Sequence, residues 1–171
     1  MMAVQAATVT TPTSASIAAT SATLGGNVTS DGGATITVRG IVYAPSATNS
    51  NPQIGGTGVT NVVGSGTTGV FTVSASGLTA NTAYTYAAYA TTSAGTTYSS
   101  TGTFTTLPLP PAITNGPLTA SGTFGSAITT YTITGSNTPT SYSATGLPAG
   151  LSLNPATGAI TGTPTTTIGS P

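Results

Sequence analysis

Ionisable side chains, which carry most enzyme chemistry, are almost absent from this sequence. Its 171 residues contain a single acid, Asp31, a single base, Arg39, and no Glu, Lys, His or Cys. General acid–base catalysis needs groups with tuned pKa values, and mechanisms that use paired carboxylates need two acids. The abundant Ser and Thr hydroxyls have no base to activate them as nucleophiles. The composition therefore predicts a protein that is not an enzyme.

The same scarcity bears on metals and nucleic acids. Zinc, iron and copper sites draw on His, Cys and carboxylate ligands, and a calcium site would depend on carbonyls around one carboxylate. Nucleic-acid binding gains its affinity from several Lys and Arg side chains that neutralise phosphates, and Arg39 is alone. We therefore expect no metal, no cofactor and no nucleic-acid partner.

The two charged residues leave the chain with a formal net charge of zero. Copies of such a chain do not repel one another at long range, which favours association. Asp31 and Arg39 flank the same predicted turn and strand, so we expect a surface ion pair between them, with a contribution of about 0–1 kcal/mol.

Ser and Thr make up about a third of the residues, a composition also typical of disordered, O-glycosylated stalks. Strand patterns argue against disorder, because Thr, Val, Ile and Tyr alternate with small residues over short stretches broken by Gly, Asn and Pro. The sequence has no helical period and no apolar run of about 18 residues, so we predict an all-β chain without a membrane span. Val4-Gln5-Ala6 ends like a signal-peptidase site, and a trimmed signal peptide or an expression start would explain it equally well.

A proline cluster at residues 107–111 divides the chain. Proline fixes φ and favours extended backbone, so this Leu-Pro-Leu-Pro-Pro segment reads as a short, stiff linker. Residues 12–106 and 112–171 are each long enough for one modest core, and we predict two tandem β-sandwiches. Residues 1–11 are predicted to be an extended segment outside the first sandwich.

In the first half, period-2 alternation predicts the strands and the residues that face the core. The inward residues are Leu24, Gly26 and Val28; Phe71, Val73 and Ala75, followed by Leu78; and Tyr84, Tyr86, Ala88 and Ala90, with Tyr89 on the opposite face. Residues 35–43 form another strand, and residues 96–105 form the last.

The inward face of the strand at residues 35–43 has two solutions. Either Ile36, Val38, Gly40 and Val42 face the core, or Arg39, Ile41 and Tyr43 do. The charge of Arg39 favours the first solution. The Gly/Asn-rich connection at 44–69 is either a binding loop or, as we favour, carries an extra edge strand at 58–63.

The segment at residues 78–84, Leu-Thr-Ala-Asn-Thr-Ala-Tyr, resembles the tyrosine corner of fibronectin type III domains. There, a Tyr at the start of strand F hydrogen-bonds to the backbone a few residues upstream. Together with Gly25-Gly26-Asn27-Val28 and Arg39-Gly40-Ile41-Val42-Tyr43, the first half is similar to the fibronectin-like repeats of large bacterial surface proteins. This resemblance covers residues 7–106 and implies structural roles for Leu78 and Tyr84.

The second half carries a different signature at residues 146–164, Gly-Leu-Pro-Ala-Gly-Leu-Ser-Leu-Asn-Pro-Ala-Thr-Gly-Ala-Ile-Thr-Gly-Thr-Pro. It closely resembles the immunoglobulin-like domains of bacterial secreted and surface proteins. Leu151 and Leu153 alternate on one strand, a turn follows, and Gly158 supplies a positive φ before Ile160 returns. We also predict strands at 127–134 and 140–144.

Domains of that family normally continue through one more β-hairpin, so the second sandwich looks unfinished, with Leu151, Leu153 and Ile160 left uncovered. Three explanations remain open: the next residues of a longer chain complete it, a segment of another subunit completes it by β-strand addition, or a smaller sandwich is complete. The donor that we predict for strand addition is the segment at residues 6–11, with Ala7, Thr8, Val9 and Thr10 at its centre.

These features predict a secreted or cell-surface protein of bacteria. The first hypothesis is a non-catalytic structural subunit or segment of a filament, sheath or large adhesin, whose partners are copies of itself or neighbouring domains. The second is a carbohydrate-binding or spacer module of a larger secreted hydrolase. Sugar platforms usually use exposed aromatic side chains, and Trp is absent, which favours the first.

Overall fold

The computed structural model describes residues 4–115 and 121–166 and consists there of strands, turns and irregular segments. No helix in those ranges could cross a bilayer. The chain divides into two compact units, Met1–Leu109 (unit 1) and Pro110–Pro171 (unit 2). Each unit has its own sheets.

Eight strands make up the described part of unit 1: β1 (Thr8–Ala15), β2 (Ser21–Ser30), β3 (Val38–Pro45), β4 (Thr60–Gly64), β5 (Gly69–Ser76), β6 (Ala83–Thr92), β7 (Gly95–Tyr98) and β8 (Gly102–Thr105). All pairings are antiparallel. One sheet has the order β1-β2-β5, and the other has the order β4-β3-β6-β7, with β8 also paired to β6. Two facing sheets with this connectivity form a fibronectin type III-like sandwich, as the sequence predicted.

The main core lies between the two sheets of unit 1. Alternation on β2 buries Leu24 and Val28 completely, and alternation on β5 buries Phe71 and Val73. Leu24 is paired with Val73 across the two strands. The predicted inward faces of β2, β5 and β6 are therefore confirmed.

The preferred inward face of β3 is wrong, although Ile36, which precedes the strand, is buried in the main core as predicted. Ile41 and Tyr43 pack into the main core, while Val42 belongs to a separate cluster on the outer side of the sheet. The buried Arg39 shares the inward face with Ile41. The strand also begins at Val38 rather than at residue 35.

The N-terminal segment is not separate from the first sandwich. β1 pairs with β2 over registers such as Val9 to Val28 and Ser14 to Leu24. Ala7 and Val9 are buried in the main core. The boundary expected after residue 11 is therefore wrong, because the apolar side chains of this segment are needed to close the sandwich.

The predicted strand at residues 96–105 is two strands, β7 and β8, which both pair with β6 and are separated by residues 99–101. The edge strand expected near residues 58–63 exists as β4. It pairs with β3 through registers such as Gly40 to Val63.

Unit 2 contains five short strands in its described residues: β9 (Ala112–Ile113), β10 (Tyr131–Thr132), β11 (Gly135–Ser136), β12 (Leu151–Leu153) and β13 (Ala159–Gly162). They form a three-stranded sheet, β10-β13-β12, and a two-stranded sheet, β11-β9. The strand predicted at 127–134 is reduced to β10, and the one predicted at 140–144 does not form. Those residues have no neighbouring strand to pair with among the described ones.

Candidate functional site

Arg39 lies inside unit 1, where only 6% of it is exposed. Its guanidinium donates to backbone carbonyls of the loop between β4 and β5: Nε donates to Ser65 O at 2.8 Å and Nη1 to Thr67 O at 2.7 Å. The carbonyls of Thr68 and Gly69 also accept from Nη1, at 3.1 and 3.0 Å. The one cationic side chain of the protein therefore holds this loop against β3.

Aromatic contact completes the surroundings of Arg39. The guanidinium carbon lies 4.5 Å from the centre of the Phe71 ring, which is within the range of a cation–π interaction. Burial lowers the pKa of the Arg39 guanidinium, but arginine keeps its proton in proteins. Gly66 has a φ of +86°, and a Cβ there would meet Nη2 of Arg39 at 2.6 Å, so the loop depends on glycine at this position.

Asp31 is not the partner of Arg39. Its carboxylate oxygen Oδ1 accepts from the backbone N–H of Gly33 at 2.9 Å, and the residue is exposed in the turn after β2. The expected ion pair between Asp31 and Arg39 is therefore wrong, because the loop carbonyls supply the electronegative groups instead. Within the described residues no cluster of His, Cys, Asp or Glu is positioned to hold a metal ion.

Tyr84 stands where the tyrosine corner was predicted. Its hydroxyl accepts a hydrogen bond of 2.9 Å from the backbone N–H of Thr79, five residues upstream. The ring stacks on Phe104 at a centroid distance of 5.4 Å, and Leu78 is buried in the same core. Both residues have structural contacts and no free polar group directed toward solvent.

A second apolar cluster lies on the outer face of the sheet that contains β3 and β6. Val42, Ala87 and Tyr89 are buried there, and the half-buried Val59 of the loop between β3 and β4 packs against them. This loop is tied down by the N–H of Ile54, which donates to the hydroxyl of Tyr98 at 3.1 Å. The loop between β3 and β4 therefore covers part of the sheet.

Burial affects the pKa of Tyr43 and the hydrogen bonding of Tyr89. Loss of solvation raises the pKa of Tyr43; a hydrogen bond with Thr60 acts in the opposite direction and the nearby Tyr84 adds to the rise. The hydroxyl of Tyr89 is buried without a hydrogen-bond partner among the described residues. Neither group has an acid or base beside it that could make it reactive.

The predicted donor segment is already occupied. Ala7 and Val9 point into the core of their own unit, and Thr8 and Thr10 lie in β1. The carbonyl of Ala7 accepts from the Thr97 hydroxyl at 2.8 Å. These contacts oppose a role for the segment as a free strand donor.

The predicted assembly residues of unit 2 lie together in one sheet. Leu153 is paired with Ile160, and Leu151 with Gly162, across β12 and β13. All of these side chains are half-buried. Gly158 has the expected positive φ, +71°, in the turn before Ile160.

Unit 2 has little core in its described residues. Ile133, 6% exposed, is its one buried large aliphatic side chain there. An open groove of about 180 Å³ lies over it, lined by Pro111, Ala112, Ile113, Ile133, Gly135, Pro139, Ser141, Tyr142 and Ser143. The groove combines apolar walls with a segment, 139–144, that forms no strand.

Sequence reasoning missed this groove. The groove lies between the segment around Tyr142 and the strands β9 and β11. The alternation of apolar and polar residues in the sequence does not indicate which segment will lack a pairing partner. The apolar Ile113 just after the proline cluster was the one available signal, and it lies exposed at the groove.

Comparison with protein families gives a match for the second half of the chain. Residues 109–170 match the model of a family described as "Putative Ig domain". No curated protein matches the sequence significantly.

Several solved structures are similar to part of the chain. The sensor domain of the anti-sigma factor RsgI4 of Pseudobacteroides cellulosolvens is 19% identical, with a TM-score of 0.46, over 63% of this chain and 100% of that one. A fibronectin type III domain of human collagen XX is 19% identical, with a TM-score of 0.42, over 57% of this chain and 88% of that one.

The strand order of unit 1 and the family match of unit 2 carry the assignment. The protein is an all-β chain in which a fibronectin type III-like sandwich precedes a region, residues 109–170, that matches an Ig-like domain family.

Proposed function

We propose that this protein is a non-catalytic structural module of a bacterial extracellular assembly, such as a filament, sheath or large adhesin. The observation that carries the proposal is the electrical neutrality of its surface. Arg39 is buried against backbone carbonyls, which leaves Asp31 as the one exposed charged side chain among the described residues. A surface of this kind offers hydroxyls, small side chains and exposed backbone edges.

Neutral surfaces favour close packing for a simple reason. Most soluble proteins carry enough net charge to keep copies apart, and this chain does not. The contacts between copies would come from apolar burial and backbone hydrogen bonds, which salt screens little. Domains of the Ig-like and fibronectin type III-like classes typically serve as non-catalytic modules, which agrees with the absence of catalytic side chains from the sequence.

A carbohydrate-binding module has less support. Of the tyrosines, Tyr43, Tyr84, Tyr86 and Tyr89 are buried in unit 1. Phe124 is the one strongly exposed aromatic side chain in the described ranges. A sugar platform needs several exposed rings on one face, and the described residues do not provide them.

Electron microscopy tests the proposed function. We expect the purified chain, and native material from cell surfaces, to form ordered filaments or layers as concentration rises. A variant that adds charge at two exposed strand positions, Thr29→Asp with Thr72→Asp, is the matched control and should assemble less. Dispersed single molecules at every concentration would contradict the proposal.

A further inference from the structure

The groove of unit 2 is bordered by backbone that has few partners. Between residues 139 and 144, the N–H of Tyr142 makes the one backbone hydrogen bond found among described residues, to Pro155 O at 2.9 Å. The N–H and C=O groups of Ser141 and Ser143 have no such partner there. Because unpaired backbone is costly when it leaves water, this segment is suited to pair with an added strand.

The groove also has room for an apolar side chain. Its volume, about 180 Å³, exceeds the roughly 150 Å³ of an apolar cavity that holds a benzene-sized group. Ile113, which is 56% exposed, and the buried Ile133 form apolar walls. None of the lining residues is charged, so filling the groove removes no ion from water.

Unit 1 presents a strand edge with matching properties. β4 pairs with β3 on one side and with no other described strand on its other side. Its sequence, Thr-Asn-Val-Val-Gly, has none of the charges or prolines that usually protect edge strands. The Val63 side chain is 61% exposed.

Two other edge strands of unit 1, β1 and β5, are less available. β1 contains Pro12, and its register with β2 is interrupted between Thr8 and Val9 and between Thr10 and Thr13, which are features that discourage edge pairing. β5 exposes Val70, but Arg39 already occupies the neighbouring carbonyl of Gly69. Of β1, β4 and β5, β4 is therefore the strand that combines an unpaired, uninterrupted edge with an exposed apolar residue.

We propose that the groove of unit 2 binds the β4 edge of a second copy of this chain, with Val63 seated over Ile113 and Ile133 and the backbone paired to residues 141–143. Such a contact joins different surfaces of two copies, so it continues head to tail rather than closing as a symmetric dimer. The inference rests on the proposed structural function and names its interface.

Disulfide trapping tests the contact directly, because the sequence contains no Cys. Two single variants, Val63→Cys and Ser143→Cys, are purified separately, mixed and oxidised, and the products are separated without reductant. The matched control mixture replaces Val63→Cys with Val70→Cys, a similarly exposed valine. We expect several-fold more cross-linked heterodimer from the first mixture than from the control.

The outcomes of the cross-linking experiment distinguish the proposed contact from the proposed function. Equal yields from the two mixtures, while the proteins still associate in sedimentation velocity, overturn this interface and leave the proposed function standing. A Ser143→Cys thiol that reacts in no mixture, as expected if a following segment of the same polypeptide fills the groove, also overturns it. Loss of all association for the unmodified chain contradicts both proposals.

A second pair of variants tests the same contact without cysteine cross-linking. Val63→Asp places a charge at the β4 edge and should weaken association by at least about tenfold, whereas Val70→Asp adds the same charge away from the proposed contact and should weaken association several-fold less. Both residues are exposed, so folding should persist in each, as circular dichroism can verify. Equal effects of the two substitutions would contradict the proposed contact.

Discussion

At the scale of single residues, Arg39 makes an unusually large number of stabilising contacts for one side chain. A lone cation would ordinarily be found at the surface, but here it joins β3 to the loop between β4 and β5 through three carbonyls, to the first residue of β5 through a fourth, and contacts the ring of Phe71. Hydrogen bonds from a charged donor are stronger than neutral ones, so removing the guanidinium costs free energy.

Replacing Arg39 should therefore destabilise unit 1 markedly. We expect Arg39→Ala to lower the free energy of unfolding by about 2–5 kcal/mol, measured by urea denaturation. Asp31→Asn is the control and should change it by less than about 0.5 kcal/mol, because Asp31 is exposed. Comparable losses of stability in the two variants would indicate that Asp31 and Arg39 do form an ion pair, which would contradict the structure.

Two buried tyrosines offer a second comparison. Tyr84→Phe leaves the N–H of Thr79 without its acceptor and should cost about 1–3 kcal/mol of stability. Tyr89→Phe removes a hydroxyl that has no partner among the described residues, so it should be neutral or stabilising. Thermal unfolding of both variants distinguishes them, and a large loss in Tyr89→Phe would mean that its hydroxyl is bonded.

At the scale of elements, β1 belongs to the first sandwich rather than to a neighbour. Deleting residues 1–11 removes the buried side chain of Val9 and half of the residue pairs between β1 and β2. Burial of one valine alone is worth about 1.5–3 kcal/mol. We expect the shortened chain to have a lower unfolding temperature; a chain that keeps its stability but no longer polymerises would instead revive the donor-strand hypothesis.

Sequence reasoning was successful where one local pattern decides the structure. The alternation of Leu24 and Val28, and the spacing of Leu78 and Tyr84, placed core strands and the tyrosine corner correctly. It was wrong for Arg39, because the carbonyls that satisfy the guanidinium come from residues 26 to 30 positions away. The groove of unit 2 and the free edge of β4 are harder to predict from sequence, because both depend on which strands remain unpaired after folding.

At the scale of the whole molecule, the scarcity of titratable groups predicts a flat pH profile. The chain has no Glu, Lys, His or Cys, so stability should vary little between about pH 5 and pH 9. Above about pH 10 the unfolded chain loses tyrosine protons that the folded chain retains, because burial raises the pKa of Tyr43. Stability should therefore fall as pH rises through that range, which chemical denaturation at stepped pH can measure.

The scarcity of charge also determines how association between copies depends on salt concentration. If apolar burial and backbone pairing hold copies together, there is almost no charge for salt to screen. The most direct test is the association constant from sedimentation equilibrium at about 0.01 M and about 1 M NaCl, conditions that change the screening length about tenfold. We predict values within about threefold of each other; a fall of more than about tenfold at high salt, or no association at either, would contradict the account.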